Sequence, residues 1–117
     1  MGETAWTRDI CAELIRCNAM VDAIVGSMRS PSGRPDRFVC HAYWYGHLEF
    51  KGVRTAVTPK QMYYIREYNR RQPGSAFIVR QPDRIEDHEG NLLASFDGTG
   101  LGLIRELRRL YELARQG

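Results

Sequence analysis

The sequence predicts an α/β fold in which a single mixed β-sheet is flanked by helices. The predicted elements follow the order α-β-β-α-β, after which come a weaker β region and a last helix. This order is typical of one sheet covered by helices. The 117 residues are enough for one hydrophobic core and too few for two ordinary domains. Hydrophobic residues make up 43% of the chain and charged residues 26%, as in a folded globular protein. We therefore expect one domain over residues 1–117.

The first helix is predicted over residues 4–28. Apolar side chains recur there at steps of three and four residues, which places them on one face of a helix. The side chains of this stripe are Ile10, Leu14, Cys17, Val21, Ile24 and Met28. The segment that follows, residues 30–35, contains two prolines, two serines and a glycine. It therefore predicts a loop that ends the helix.

Two short strands are predicted to form a β-hairpin over residues 36–52. Residues 37–45 are rich in aromatic and other strand-forming types, which predicts the first strand. We expect Gly46 to turn the chain and residues 47–51 to form the second strand.

A second helix is predicted to begin at Thr58. Thr58 is a good N-cap, Pro59 suits the first helical position, and Gln61 has the spacing of a capping-box partner. The helix is expected to run to about Gln72, because Pro73 and the glycine after it stop it.

The last part of the chain is predicted to form a third strand, a loose hairpin and a final helix. Residues 75–80 read as a third strand, and residues 84–97 as a loose hairpin. The final helix is expected from Gly102 onward. Its apolar stripe consists of Leu103, Leu107, Leu110 and Ala114.

Positive charge is concentrated in the middle of the chain. The net charge is +3, but residues 51–80 hold seven basic residues against one acid. A basic region of this kind indicates a polyanionic partner. If only the charge is considered, a solvent-exposed helix face explains it as well as a polyanionic partner does.

Some classes of protein are disfavoured. No apolar run approaches the roughly 20 residues that a membrane span needs, and the N-terminal residues show no signal-peptide pattern. The three cysteines are an odd number without a CxxC pair, which argues against a disulfide framework or a zinc site. We therefore expect no membrane association and a cytoplasmic location, in a bacterium or a phage-infected host.

Two carboxylates and a lysine are predicted to converge at one end of the hairpin. Asp36 opens the first strand, and Glu49 follows on the paired strand. Because side chains alternate along a strand, Glu49 and Lys51 share a face, with Phe50 on the other. Two close carboxylates repel, and a hard divalent cation relieves that repulsion. The alternatives are an exposed Glu49–Lys51 pair and a turn aspartate at position 36.

An ordered set of segments resembles the PD-(D/E)XK nucleases. The segments are Gly33-Arg34-Pro35-Asp36-Arg37, Glu49-Phe50-Lys51 and Val57-Thr58-Pro59-Lys60-Gln61. They are most similar to the VRR-NUC type, whose relatives include small archaeal Holliday-junction resolvases. The resemblance covers about residues 8–80 and leaves residues 81–117 as an extension without a counterpart. It implies a restriction-endonuclease-like core and a Mg²⁺-dependent endonuclease, with Mn²⁺ able to substitute, that cuts DNA and particularly branched DNA.

The resemblance also implies roles for individual residues. Asp36 and Glu49 match the metal-binding acids, and Lys51 matches the lysine that orients water. The carbonyl group of Phe50 is a further expected metal ligand. Glu13 matches an acid on the first helix that completes the metal site, with Asp9 as a second candidate. Gln61 matches a glutamine that lines the active site. The alternatives are a solvated Glu13 and a Gln61 that serves only the capping box.

DNA contacts are expected from residues beside the motif and from the basic region. These residues are Ser32, Arg34, Arg54, Lys60, Arg66, Arg70 and Arg71. Cutting both strands of a branched substrate needs two active sites, so a homodimer is expected. The small size suits a phage or recombination protein. The alternative function is a non-catalytic DNA-binding or assembly module on the same fold, for example in a phage or defence complex.

Overall fold

The computed structural model describes residues 2–24 and 33–116. Within these residues the chain forms three helices and six strands. In chain order they are α1 (Glu3–Arg16), β1 (Met20–Ala23), β2 (Arg37–Cys40), β3 (Tyr45–Lys51), α2 (Pro59–Arg71), β4 (Ala76–Arg80), β5 (Arg84–Glu86), β6 (Leu92–Ser95) and α3 (Gly100–Arg115).

The strands form one mixed sheet whose spatial order is the order of the chain, β1-β2-β3-β4-β5-β6. Neighbouring strands are antiparallel except β3 and β4, which are parallel. A parallel pair needs a long crossover, and α2 provides it. The predicted fold class, a mixed sheet flanked by helices, is confirmed.

Helices cover both faces of the sheet. Helices α1 and α3 pack on one face, where they form the larger core around Leu14, Leu48, Phe50 and Leu107. Helix α2 packs on the other face through Ile65, which contacts Ala76 and Ile78 of β4 in a smaller cluster. The alternation along β3 therefore places Leu48 and Phe50 on the side of α1 and α3, and Glu49, which lies between them, on the side of α2.

Side-chain hydrogen bonds fix both ends of α2. The predicted capping box is confirmed: the Thr58 hydroxyl accepts from the Gln61 N–H at 3.2 Å, and the Thr58 N–H donates to Gln61 Oε1 at 3.0 Å. At the other end, Asn69 donates to the carbonyl groups of Ile65 and Ala76, and its Oδ1 accepts from the Ala76 N–H. These bonds fasten the end of α2 to the start of β4.

The first helix is shorter than the periodicity predicts. It ends at Arg16, and Asn18 takes a left-handed backbone conformation with φ of 77°. The chain then enters β1, which pairs with β2, and Val21 packs against the core from this strand. The prediction of one helix over 4–28 is therefore wrong for residues 17–24. Residues 25–32, including Met28 and the start of the predicted loop, lie outside the described residues.

The hairpin is confirmed, but its turn lies earlier than predicted. Strand β2 ends at Cys40 and β3 begins at Tyr45, so residues 41–44 make the turn, closed by a bond from the His41 N–H to the Trp44 carbonyl at 2.9 Å. Gly46 lies inside β3. A Cβ at this position would overlap the carbonyl oxygen of Ser75, so glycine allows a close backbone approach there.

The C-terminal elements complete the sheet and the core. The predicted hairpin over 84–97 is confirmed as β5 and β6, and the third strand as β4. Helix α3 starts at Gly100 with Thr99 as its N-cap, two residues before the predicted start. Its Leu103, Ile104 and Leu107 are fully buried. In the described part of the chain, every helix is too short or too polar to cross a bilayer.

Candidate active site

The end of β3 carries the two charged residues that the sequence singles out. Glu49 and Lys51 are only 5% and 6% exposed. Glu49 lies beside Ile78 of β4, which packs under α2, so Glu49 and Lys51 project to the α2 side of the sheet. Phe50 projects to the other side, where its ring meets the ring of Trp6 edge-on at 5.6 Å. The predicted alternation along this strand is confirmed.

Asp36 lies next to this strand end. Its backbone carbonyl accepts from the Ile24 N–H at 2.8 Å, which continues the ladder between β1 and β2. Its Oδ1 accepts from the Phe50 N–H at 3.4 Å, and its Oδ2 lies 3.7 Å from the Arg37 guanidinium. The bond from the Phe50 N–H to Oδ1 places the Asp36 carboxylate beside Glu49 and Lys51 along β3.

Both carboxylates have raised pKa values, and the charge of Asp36 contributes to the shift of Glu49. Burial, and then the charge of Asp36, raise the pKa of Glu49 from 4.5 to about 8, while Lys51 opposes the rise. Burial also raises the pKa of Asp36, against the influence of Arg37 and Lys51. An acid with a strongly raised pKa in a cleft, next to a second acid and a lysine, is typical of a functional site.

The acid that α1 contributes is Glu3. Its Oε1 accepts from the Gly52 N–H at 2.7 Å, directly after Lys51, and its charge helps to raise the pKa of Glu49. Glu13, predicted to complete the metal site, lies elsewhere: its Oε1 accepts from the Gly100 N–H at 3.1 Å and caps α3. Asp9 is exposed and lies 3.9 Å from Arg8.

A cleft of about 590 Å³ opens over these groups. The cleft lies at the end of β3, where helix α1, from the opposite face of the sheet, forms one wall. The start of β2, the end of β3 and Thr55 form the rest. The lining residues are Glu3, Thr4, Thr7, Arg8, Cys11, Ala12, Ile15, Asp36, Arg37, Glu49, Phe50, Lys51 and Thr55. Glu3, Thr7 and Cys11 are spaced by four residues, so they lie on one face of α1. This spacing is the signal in the sequence that points to Glu3.

The donor groups of the cleft suit a hard divalent cation. The carboxylates of Glu3, Asp36 and Glu49 face one space with a single ammonium group, that of Lys51, among them. Across residues 2–24 and 33–116, no three acid, histidine or cysteine side chains are already close enough to enclose a metal ion. Carboxylate oxygens are ligands that Mg²⁺ accepts, one or two at a time together with several waters.

Gln61 and the basic residues lie outside this cleft. The Gln61 side chain is engaged in the capping box, so the structure does not bring it to the carboxylates. Arg34 lies close enough to His47 for its charge to lower the pKa of the imidazole, after the larger effect of burial. Arg66, Arg70 and Arg71 are exposed on α2 around Glu67. Ser32 lies outside the described residues.

A comparison with solved structures finds a similar architecture in a Holliday junction resolvase, Hjc, from the hyperthermophilic archaeon Archaeoglobus fulgidus. The similarity covers 89% of this chain and 98% of that chain, with a TM-score of 0.57 and 18% sequence identity. This chain has the fold of that resolvase. No protein-family model matches the sequence, and a search of curated proteins gives no match.

Proposed function

We propose that this chain is a divalent-metal-dependent endonuclease of the PD-(D/E)XK superfamily that hydrolyses phosphodiester bonds in branched DNA. One observation supports this most strongly: Asp36, Glu49 and Lys51 line a single cleft at the end of β3. The likeness of the fold to the archaeal Holliday junction resolvase supports the same reading. We assign the chain to the VRR-NUC type on its sequence motifs alone.

Asp36 and Glu49 hold the cation in this proposal, and the carbonyl of Phe50 is a further ligand. Glu3 adds negative charge beside them from α1. The raised pKa of Glu49 has a consequence for binding. The group is therefore mostly protonated at neutral pH, so a binding cation would displace a proton from it, and the affinity of the cleft for the cation should rise with pH.

Lys51 lies beside the reacting phosphate in this proposal. Its ammonium group orients the attacking water and stabilises the negative charge that develops on the phosphate oxygens. A bound Mg²⁺ or Mn²⁺ supplies Lewis-acid activation of the phosphodiester and of that water. In the reaction, water forms a new P–O bond while one ester P–O bond breaks, leaving one phosphomonoester and one free hydroxyl.

The basic residues around the cleft and on α2 bind the DNA backbone in this proposal. They are Arg34, Arg54, Lys60, Arg66, Arg70 and Arg71. Two strands of a branched substrate require two cuts, so we propose that the chain acts as a homodimer with one cleft per copy.

The proposal is tested by incubating the purified chain with linear duplex, flap, four-way junction and single-stranded DNA of matched length. We expect cleavage with Mg²⁺ or Mn²⁺ and none with EDTA. Lys51→Ala should lower the rate on the order of 10²-fold or more. The exposed Arg105→Ala variant on α3 is the matched control and should cut at the wild-type rate. Full activity in EDTA or in Lys51→Ala would contradict the proposed chemistry.

A further inference from the structure

Five aromatic rings form a continuous row along the α2 side of the sheet. Tyr63 meets Tyr64 edge-on with centroids 5.3 Å apart, and Tyr64 lies 6.4 Å from Tyr68. Tyr68 stacks on His47 of β3 at 4.2 Å with an interplanar angle of 14°. His47 in turn lies 5.3 Å from Phe38 of β2. We call these five residues the aromatic row.

One end of the row is exposed, and the other end includes His47 of β3, which is a near neighbour of Glu49 along that strand. Tyr63 is 50% exposed at its outer end, and the other four rings are partly buried. At the inner end, His47 and Glu49 are two residues apart on the same face of β3, a rise of about 7 Å. A cleft of about 240 Å³ opens along the outer rings beside Glu67 and Arg71.

Positive charge flanks the row. The Arg66 guanidinium lies 5.7 Å from the Tyr63 ring centroid, and Arg70 and Arg71 each bind Glu67, at 2.9 and 3.0 Å. Arg66 Nε also lies 3.5 Å from Glu67 Oε2. Three arginines thus share one carboxylate, so the surface keeps excess positive charge and guanidinium donors. Accessible aromatic rings with arginines beside them match single-stranded nucleic acid, whose bases stack while its phosphates bind cations.

We propose that the aromatic row is a binding platform for unpaired nucleotides, in which bases stack on Tyr63 and Tyr64 while Arg66, Arg70 and Arg71 contact their phosphates. This inference rests on the proposed function and extends it: the single-stranded part of a branched substrate lies on the row, and the adjoining phosphodiester reaches Glu49 and Lys51. Paired bases within a duplex do not offer their faces to such a platform.

Stacking is tested by binding without cleavage. Fluorescence anisotropy in EDTA compares a labelled oligo-dT strand with an abasic strand of the same length and phosphate number. We expect the wild type to bind oligo-dT about fivefold or more tightly than the abasic strand. Tyr63→Ala should lose this preference but keep its affinity for the abasic strand. Tyr43→Ala, which removes a similarly exposed tyrosine (59%) from the hairpin turn, should keep the preference.

The role of the three arginines is tested by removing the carboxylate charge of Glu67, with which Arg66, Arg70 and Arg71 all pair. Glu67→Gln should raise the affinity for both strands, because the arginines lose their competing carboxylate, and should steepen the salt dependence. Equal wild-type affinity for the two strands, no binding to either, or an unchanged preference in Tyr63→Ala would overturn the platform.

The cleavage assay keeps the two proposals apart. Mg²⁺-dependent cleavage without a base preference contradicts the platform alone. A base preference that depends on Tyr63, in a chain that never cuts DNA, supports the platform and contradicts the nuclease.

Discussion

The carboxyl group of Glu49 lies at the end of β3, 5% exposed and beside two other acids, Asp36 and Glu3. Burial and like charge both disfavour its ionised form, which is why its pKa lies near 8. The folded protein thus binds a proton at Glu49 more tightly than the unfolded chain does. The same strain makes the cleft a good host for a cation, because a positive charge favours the ionised carboxylates.

Without metal, the stability of the protein should fall as pH rises through the range of Glu49. A raised folded pKa contributes stability that is complete below 4.5, the ordinary value, and is lost as pH rises toward 8. The loss from this group is at most about 1.4 kcal/mol per pH unit between those values. Urea unfolding in EDTA from pH 5 to 9 measures it, and Glu49→Gln should flatten the profile. Glu112→Gln, at an exposed ion pair on α3, should follow the wild type.

The sequence alone could not decide which acid of α1, Glu3 or Glu13, lies at the cleft. Both are acids on α1, and the apolar stripe favours Glu13 because it lies beside Leu14 and Ile10. The choice depends on what packs against each turn of the helix. The first turn contacts the backbone after Lys51 through Glu3, whereas the third turn contacts the N-terminus of α3 through Glu13, across 87 residues of sequence.

Exchanging each acid for its amide should separate the two roles. Glu3→Gln keeps an acceptor for the Gly52 N–H but removes a charge from the cleft, so we expect metal affinity and cleavage to fall about tenfold or more. Glu13→Gln should cut DNA at the wild-type rate and change only the stability. Titration of Mn²⁺ together with cleavage rates measures both, and a Glu13→Gln variant that loses metal binding would reverse the assignment.

At the scale of elements, a buried ion pair fixes the segment that follows β3. Arg80 Nε donates to Glu86 Oε1 at 2.9 Å, and its Nη1 donates to the carbonyl groups of Gly52 and Thr55, both at 2.8 Å. The side chains of Arg80 and Glu86 are 14% and 2% exposed. Glu3 holds Gly52 from the opposite side. The backbone beside Lys51 is thus held by two elements.

Removing Arg80 should cost far more stability than removing its neighbour Arg84. Arg80→Ala leaves the buried Glu86 with only a half-exposed partner, so we expect a loss of about 3 kcal/mol or more in the free energy of unfolding. Arg84 also binds Glu86, but its side chain is 42% exposed, and Arg84→Ala should cost about 1 kcal/mol or less. Denaturant unfolding compares them, and equal losses would show that the pair does not hold this segment.

Elements with a local chemical signal are the ones that the sequence predicts well. The capping box at Thr58 and the strand alternation around Phe50 involve neighbouring residues, and both are confirmed. The end of α1 cannot be predicted in this way, because over so short a stretch the apolar residues at positions 17, 21 and 24 fit a helix as well as a strand. The pairing of β1 with β2, which decides between them, involves residues up to about 20 positions apart.

At the scale of the whole molecule, the sheet brings distant segments to one cleft. Asp36, Glu49 and Glu3 come from a loop, a strand and a helix, and they meet because β2, β3 and α1 pack together. Under the proposed function, a cation bound there would be attracted by all three carboxylates. Because it would bind only the folded chain, it would stabilise the whole fold by mass action.

The most direct test of the central claim is thermal melting of the wild type and Asp36→Asn with and without Mg²⁺. We expect the wild type to melt at a higher temperature as Mg²⁺ is added. Asp36→Asn relieves repulsion, so its stability without metal should stay level or rise by about 0.5–2 kcal/mol, with most of the Mg²⁺ response lost.

Asp87, which accepts N–H bonds from Glu89 and Asn91 in the β5–β6 turn, provides the matched control. Asp87→Asn should be destabilised and respond fully to Mg²⁺. The same behaviour in Asp36→Asn, a loss of about 1 kcal/mol with an intact Mg²⁺ response, would identify Asp36 as a turn residue and contradict the metal site.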